Sequence, residues 1–163
     1  MLRLVLTLWL AAPLAHAQTA PFETWVGVSG GVQASPLTLG ASAHVTAGRG
    51  STAIRAAFDY GEEFVVWSGA PTTLNAASLC VAVQLREGRG RLMAHGGPAL
   101  VWGRGRYQSP SGRQRYQNVG LAVGGSAVLG LSRSVGIGLD VSGTLNPEVS
   151  TVGVRFAAHV RIR

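Results

Sequence analysis

The sequence predicts an all-β protein: an eight-stranded antiparallel up-and-down transmembrane β-barrel. Three observations predict it. Eight segments alternate between apolar and polar residues, their connections alternate between short and long, and the apolar face carries no charge. A period of two means that the two faces of a strand meet different surroundings. Charged residues are only 13% of the 163, and 23 are glycine, while the mean hydropathy is positive. Beyond Leu14 no apolar run is long enough for a membrane-spanning helix. A barrel resolves that combination, because alternation disperses its apolar residues along each strand.

The first seventeen residues read as a cleaved signal peptide. Met1-Leu2-Arg3 is a short positive start, residues 4–14 are apolar, and Ala15-His16-Ala17 is a small-x-small cleavage site. Cleavage leaves Gln18 first, with residues 18–163 as the barrel domain and no appended domain expected. All fourteen basic residues are Arg; the mature part holds thirteen against seven acids, a net charge of +6. In an exported chain that excess suits lipid phosphates better than nucleic acid. The single cysteine, Cys80, excludes an internal disulfide.

The strands are expected over residues 23–34, 38–48, 51–60, 76–86, 91–103, 119–131, 134–144 and 152–162. The second is among the cleanest, with Leu39, Ala41, Ala43, Val45 and Ala47 opposing Thr38, Gly40, Ser42, His44 and Thr46. The seventh opposes Val135, Ile137, Leu139 and Val141 to Gly136, Gly138, Asp140 and Ser142. The eighth opposes Val152, Val154, Phe156 and Val160 to Arg155, His159 and Arg161. Short connections fall near 47–51, 86–91 and 131–134, and longer ones near 34–37, 60–75, 103–118 and 145–150. In an up-and-down topology these sets lie at opposite ends. In the fifth strand, Gly96-Gly97-Pro98 predicts a β-bulge that resets its phase.

The contents of the two faces decide which looks outward. Every apolar-face position in these strands lacks Arg, Asp and Glu, as lipid contact enforces. The opposite face is largely Gly, Ser, Ala and Thr, with a few charges that suit a narrow lumen better than a wetted exterior. The alternative is a soluble exported barrel or sandwich that binds an apolar ligand in its interior. A second alternative is a narrow, low-conductance pore.

Over residues 19–163 the chain resembles the small eight-stranded outer-membrane barrels, the OmpA-like and OmpX-like group. The resemblance rests on the leader, the strand count, the alternation and the loop asymmetry. It departs from that group in ending Ile162-Arg163 rather than in phenylalanine, and in sparse aromatic girdles limited to Phe22, Phe58, Tyr60 and Trp102. The resemblance implies a monomer in the bacterial outer membrane, a scaffold displaying surface loops in a structural, adhesive or lipopolysaccharide-contacting role.

Candidate site residues fall in two sets. If Thr144 faces Thr151 across the last long-side connection, then Asp140 faces Arg155 as a lumenal ion pair, and Arg55 and Asp59 extend the network. Arg104, Arg106, Arg113 and Arg115, with Tyr107 and Tyr116, make a loop whose guanidinium forks match lipopolysaccharide phosphates. Phe64 and Trp67 lie in the other long loop. His44, His95 and His159 could share one level and hold a transition metal, but packed lumenal histidines are the expectation. Cys80 falls on the lumenal parity without a base partner, so no catalytic residue, cofactor or metal is expected.

Overall fold

The computed structural model describes residues 21–34, 38–63, 73–105, 114–147 and 150–162. Eight strands form: β1 (Phe22–Ala34), β2 (Thr38–Arg49), β3 (Thr52–Glu63), β4 (Thr73–Glu87), β5 (Gly90–Gly105), β6 (Gln114–Gly130), β7 (Val135–Leu145) and β8 (Thr151–Ile162). They pair antiparallel in chain order and β8 closes onto β1. Closure leaves no strand edge unpaired, which is the condition for placing a sheet in hydrocarbon. The short turns are tight. Gly50 and Gly88 supply φ values of 58° and 56°, where a side chain would be strained. Ser132 Oγ accepts from the Val135 amide at 3.1 Å to hold the β6–β7 turn.

Paired residues followed once around the barrel run Phe22, Arg49, Thr52, Val83, Ala94, Gly125, Val141, Val154 and return to β1 at Val32, ten residues further on. An even stagger preserves the in–out parity on closure, so one apolar face remains continuous. The stagger also tilts the strands, by roughly 35–45° in barrels of this kind.

The apolar set looks outward. Val81, Val119 and Phe156 are 68%, 69% and 76% exposed, whereas His44, Arg55, Asp140, Arg155 and His159 are 3% exposed or less. The large apolar side chains of the alternating face therefore do not fill the interior, as the soluble, ligand-binding alternative requires. On β5 the outward run from Leu92 to Trp102 rises roughly 25 Å along the barrel axis at a tilt of about 40°. That equals the apolar band of about 25 Å that membrane barrels present. Among the described strand residues, outward-facing charges occur only at strand ends, at Arg49, Glu62, Glu87, Arg104 and Arg115.

Three sequence expectations are corrected. β4 starts at Thr73 and β6 at Gln114, each several residues earlier than expected, because pairing continues above the apolar band where alternation no longer marks it. No bulge forms at Pro98. Ser78 faces Ala99 and Val81 faces Gly96, so the register is the same on both sides of a two-residue lapse in the ladder. Gly97 makes this possible, since a Cβ there would come within 2.2 Å of the Leu79 carbonyl oxygen. Pro98 faces outward, keeps Leu121 as its β6 partner, and its missing N–H coincides with the lapse.

Replacing Val81 with Arg, at the middle of the outward face of β4, is expected to destabilise the barrel by about 2–4 kcal/mol in a bilayer. Denaturant unfolding from lipid vesicles measures this, and an unchanged midpoint would place Val81 away from lipid.

Candidate functional site

The lumen is built in layers by inward-facing residues. On the β4–β6 side it is apolar, with Leu74, Ala76, Cys80, Ala99, Val101 and Ala122 in one cluster and Ala53, Ala82 and Met93 in another. Arg55, Asp59, Asp140 and Arg155 stand on the remaining wall and cross to one another. Arg55 Nη2 donates to Asp140 Oδ2 at 2.6 Å. Arg155 Nη1 donates to Asp59 Oδ1 at 2.7 Å and to Ser142 Oγ at 2.8 Å, and its Nη2 donates to Gln33 Oε1 at 3.2 Å.

Asp140 and Arg155 are backbone partners across β7 and β8, yet their side chains do not pair with one another. Each arginine spans the lumen to a carboxylate on a more distant strand, because an eight-strand barrel is about as wide as such a side chain is long. The four candidates thus form two crossed ion pairs. Arg55 Nε and Nη1 and Asp140 Oδ1 have no hydrogen-bond partner among the described residues. A cavity of about 20 Å³ lined by Arg55, Asp59, His95, Ser142 and Arg155 lies beside them, room for water to serve buried polar atoms.

Nearer the short-turn end, His44 Nε2 lies 3.4 Å from His159 Nδ1. Arg91 Nη2 is 3.5 Å from the same nitrogen, and its guanidinium stacks 4.7 Å from the Trp25 ring centre. Gly27 provides the space, for a Cβ there would be 2.3 Å from His44 Nε2. His95 packs against Gly124 instead. Among the described residues no three His, Cys, Asp or Glu side chains converge as a metal site. The mouth is closed by Glu23, which binds Arg86, forms an ion pair with Arg161 at 3.1 Å and accepts from Trp25 Nε1 at 3.1 Å. Gln33, Ser142, Glu23, Arg86, Arg91 and Trp25 were not among the expected site residues. Their inward parity was readable, but their partners follow only from closure of β8 onto β1.

The loop set divides. Arg104 and Arg115 are on strands rather than in a loop, directly opposite one another on β5 and β6, and both are exposed. Arg106 and Arg113 lie outside the described residues, as do Tyr107, Phe64, Trp67 and the leader. Outward rows define the rim here. Glu62, Thr73, Arg104 and Arg115 form the top row, and Tyr60, Asn75, Trp102 and Gln117 the next. Phe58, Ala77, Leu100 and Val119 lie below them. Tyr60 donates to Glu62 at 2.8 Å, and the Phe58 and Trp102 rings stand 5.9 Å apart. The order from charge to amphipathic aromatic to hydrocarbon is that of a membrane interface.

Truncating either Arg55 or Asp140 to Ala is expected to destabilise the barrel by about 3–5 kcal/mol, by stranding a buried charge. The double replacement Arg55→Met with Asp140→Leu should cost less than either. Guanidinium unfolding of the three variants in vesicles reads this, and strictly additive losses would show that the two charges do not interact.

No protein-family model and no curated protein matches the sequence. The fold does match solved structures. The N-terminal β-barrel domain of Pseudomonas aeruginosa OprF aligns with a TM-score of 0.65 at 12% identity, covering 86% of this chain and 97% of that one. Neisserial surface protein A aligns at 0.62 and 10% identity, covering 85% and 96%. Ail, the attachment invasion locus protein of Yersinia pestis, in complex with the heparin analogue sucrose octasulfate, aligns at 0.61 and 11%, covering 86% and 97%. At such identities the likeness is one of fold. The chain has the fold of the small eight-stranded outer-membrane β-barrels.

Proposed function

We propose that the chain is a monomeric, non-enzymatic protein of the bacterial outer membrane, exported by a cleaved leader over residues 1–17. It is a scaffold whose long-loop rim contacts lipopolysaccharide phosphates. The observation that carries this reading is the cross-strand pair Arg104 and Arg115, both exposed and facing outward one row above Trp102. Like charges directly opposite on neighbouring strands repel one another, and an anion between them reverses the sign. A guanidinium pair at headgroup height is suited to phosphate, which it can bind bidentately. The sulfated ligand held by Ail is an anion of comparable chemistry on a barrel of the same fold.

The lumen supports the non-conducting version of this reading over the narrow pore. Two crossed ion pairs and the His44–His159 contact fill the section through which ions would pass. The refolded barrel is expected to be electrically silent in a planar bilayer; a steady current would favour the pore.

Binding of purified lipopolysaccharide to the refolded barrel is expected to weaken about tenfold or more in Arg104→Gln/Arg115→Gln, since each lost charge-assisted hydrogen bond removes about 1.5–3 kcal/mol. Equal binding by the variant would remove lipopolysaccharide from the proposal. Heat-modifiable gel mobility, the shift between folded and boiled forms, tests the membrane barrel separately.

A further inference from the structure

A shallow groove of about 1340 Å³ crosses the outer surface from the β4–β5 hairpin to β1. It follows the pairing direction rather than the strands. One wall is Leu129, Ile137 and Val28, and the other is Leu92, Leu139 and Phe156. Between the walls runs backbone whose side chains, such as Val128 and Ala157, point into the lumen and are buried. Gly90, Ala127, Ala158 and Gly30 interrupt the walls with little or no side chain, so the groove is wide where a leucine would narrow it.

Its lower end opens at the short-turn rim. Arg89 in the β4–β5 turn and Arg133 in the β6–β7 turn are both exposed there. The two turns are tied together, the Gly130 amide donating to the Arg89 carbonyl at 2.8 Å. Neither arginine has an ion-pair partner among the described residues. Among the described residues Glu87 is the outward-facing acid on that rim, leaving a cationic excess over the three.

We infer that this groove is a binding site for one anionic phospholipid of the short-turn leaflet. The phosphodiester lies between Arg89 and Arg133, and an acyl chain follows the groove past Ala127 toward Gly30. Two features select that occupant. An apolar trough suits hydrocarbon anywhere on the belt, but only a lipid with an anionic head also uses a cationic pair at its membrane-surface end. The inference rests on the proposed membrane placement and is independent of the Arg104–Arg115 rim at the other end.

The test uses the full refolded chain in nanodiscs of phosphatidylcholine with a minor fraction of phosphatidylglycerol. Native mass spectrometry after transfer to mild detergent counts retained lipids. One phosphatidylglycerol per barrel is expected, retained about tenfold over phosphatidylcholine, as two charge-assisted contacts allow. Arg89→Gln/Arg133→Gln, made in an Arg104→Gln/Arg115→Gln background that removes the cation pair of the other rim, should abolish that preference, and Ala127→Phe should lower retention of both lipids. Equal retention of the two lipids, or a preference that survives loss of Arg89 and Arg133, reduces the groove to ordinary lipid contact and overturns the site. A lipid-free dimer broken by Ala127→Phe also overturns it, giving the groove to a second copy. Heat-modifiable mobility reports folding of each variant, and if Ala127→Phe does not fold, the turn variants alone decide. A wild-type chain that never enters the disc instead defeats the membrane placement itself.

Discussion

A backbone amide in hydrocarbon has no partner except another backbone group, and an eight-strand sheet meets that demand only when its last strand pairs with its first. Most of the molecule's other features follow from this closure. The even, ten-residue stagger around the barrel keeps the outward-facing apolar side chains on one continuous face. It also brings strands from opposite walls within reach across the lumen. Arg55 can meet Asp140, and Arg155 can meet Asp59, because closure places β3 opposite β7 and β8 at one level. Lumen and belt are two consequences of one geometry.

The lumen is divided as well as polar. Small apolar side chains from β4 to β6 occupy one side, and the charged network the other. Buried charges destabilise a fold unless paired, and pairing compensates only with good geometry. Here each carboxylate is met by a guanidinium at ordinary hydrogen-bond length. The excess cation, Arg91, stacks on Trp25 and meets His159 rather than a carboxylate. At the two rims the arginines change role. Among the described residues, those facing outward or lying in turns have no ion-paired acid to hold them in place, and both proposed lipid contacts depend on that difference.

Much of the fold was legible because the belt writes itself into the sequence as alternation. All eight segments and the Asp140–Arg155 register across the last long-side connection could be read from spacing, and their facing from the contents of the two faces. Above the belt the signal fades. The tops of β4 and β6, at Thr73 and Gln114, carry no apolar face although they still pair. Gly96-Gly97-Pro98 reads as a bulge because those residues tolerate one, but close approach of the β4 backbone to Gly97 satisfies the same residues without an insertion. The crossing of the ion pairs was hidden for a different reason. Partner choice across a lumen depends on the stagger of the whole barrel, which no single hairpin records. The arginine rim illustrates both limits: Arg104 and Arg115 were visible as basic residues, but their outward, directly opposed placement required β5 and β6 to extend past the belt.

The most direct measurement compares two tryptophans that differ in facing. Trp25 points into the barrel beneath Arg91, and Trp102 points outward beside Phe58. In variants retaining only one or the other, fluorescence in vesicles containing brominated lipids should fall strongly for Trp102 and little for Trp25. Strong quenching of Trp25 with Trp102 protected would mean that the apolar face does not meet lipid.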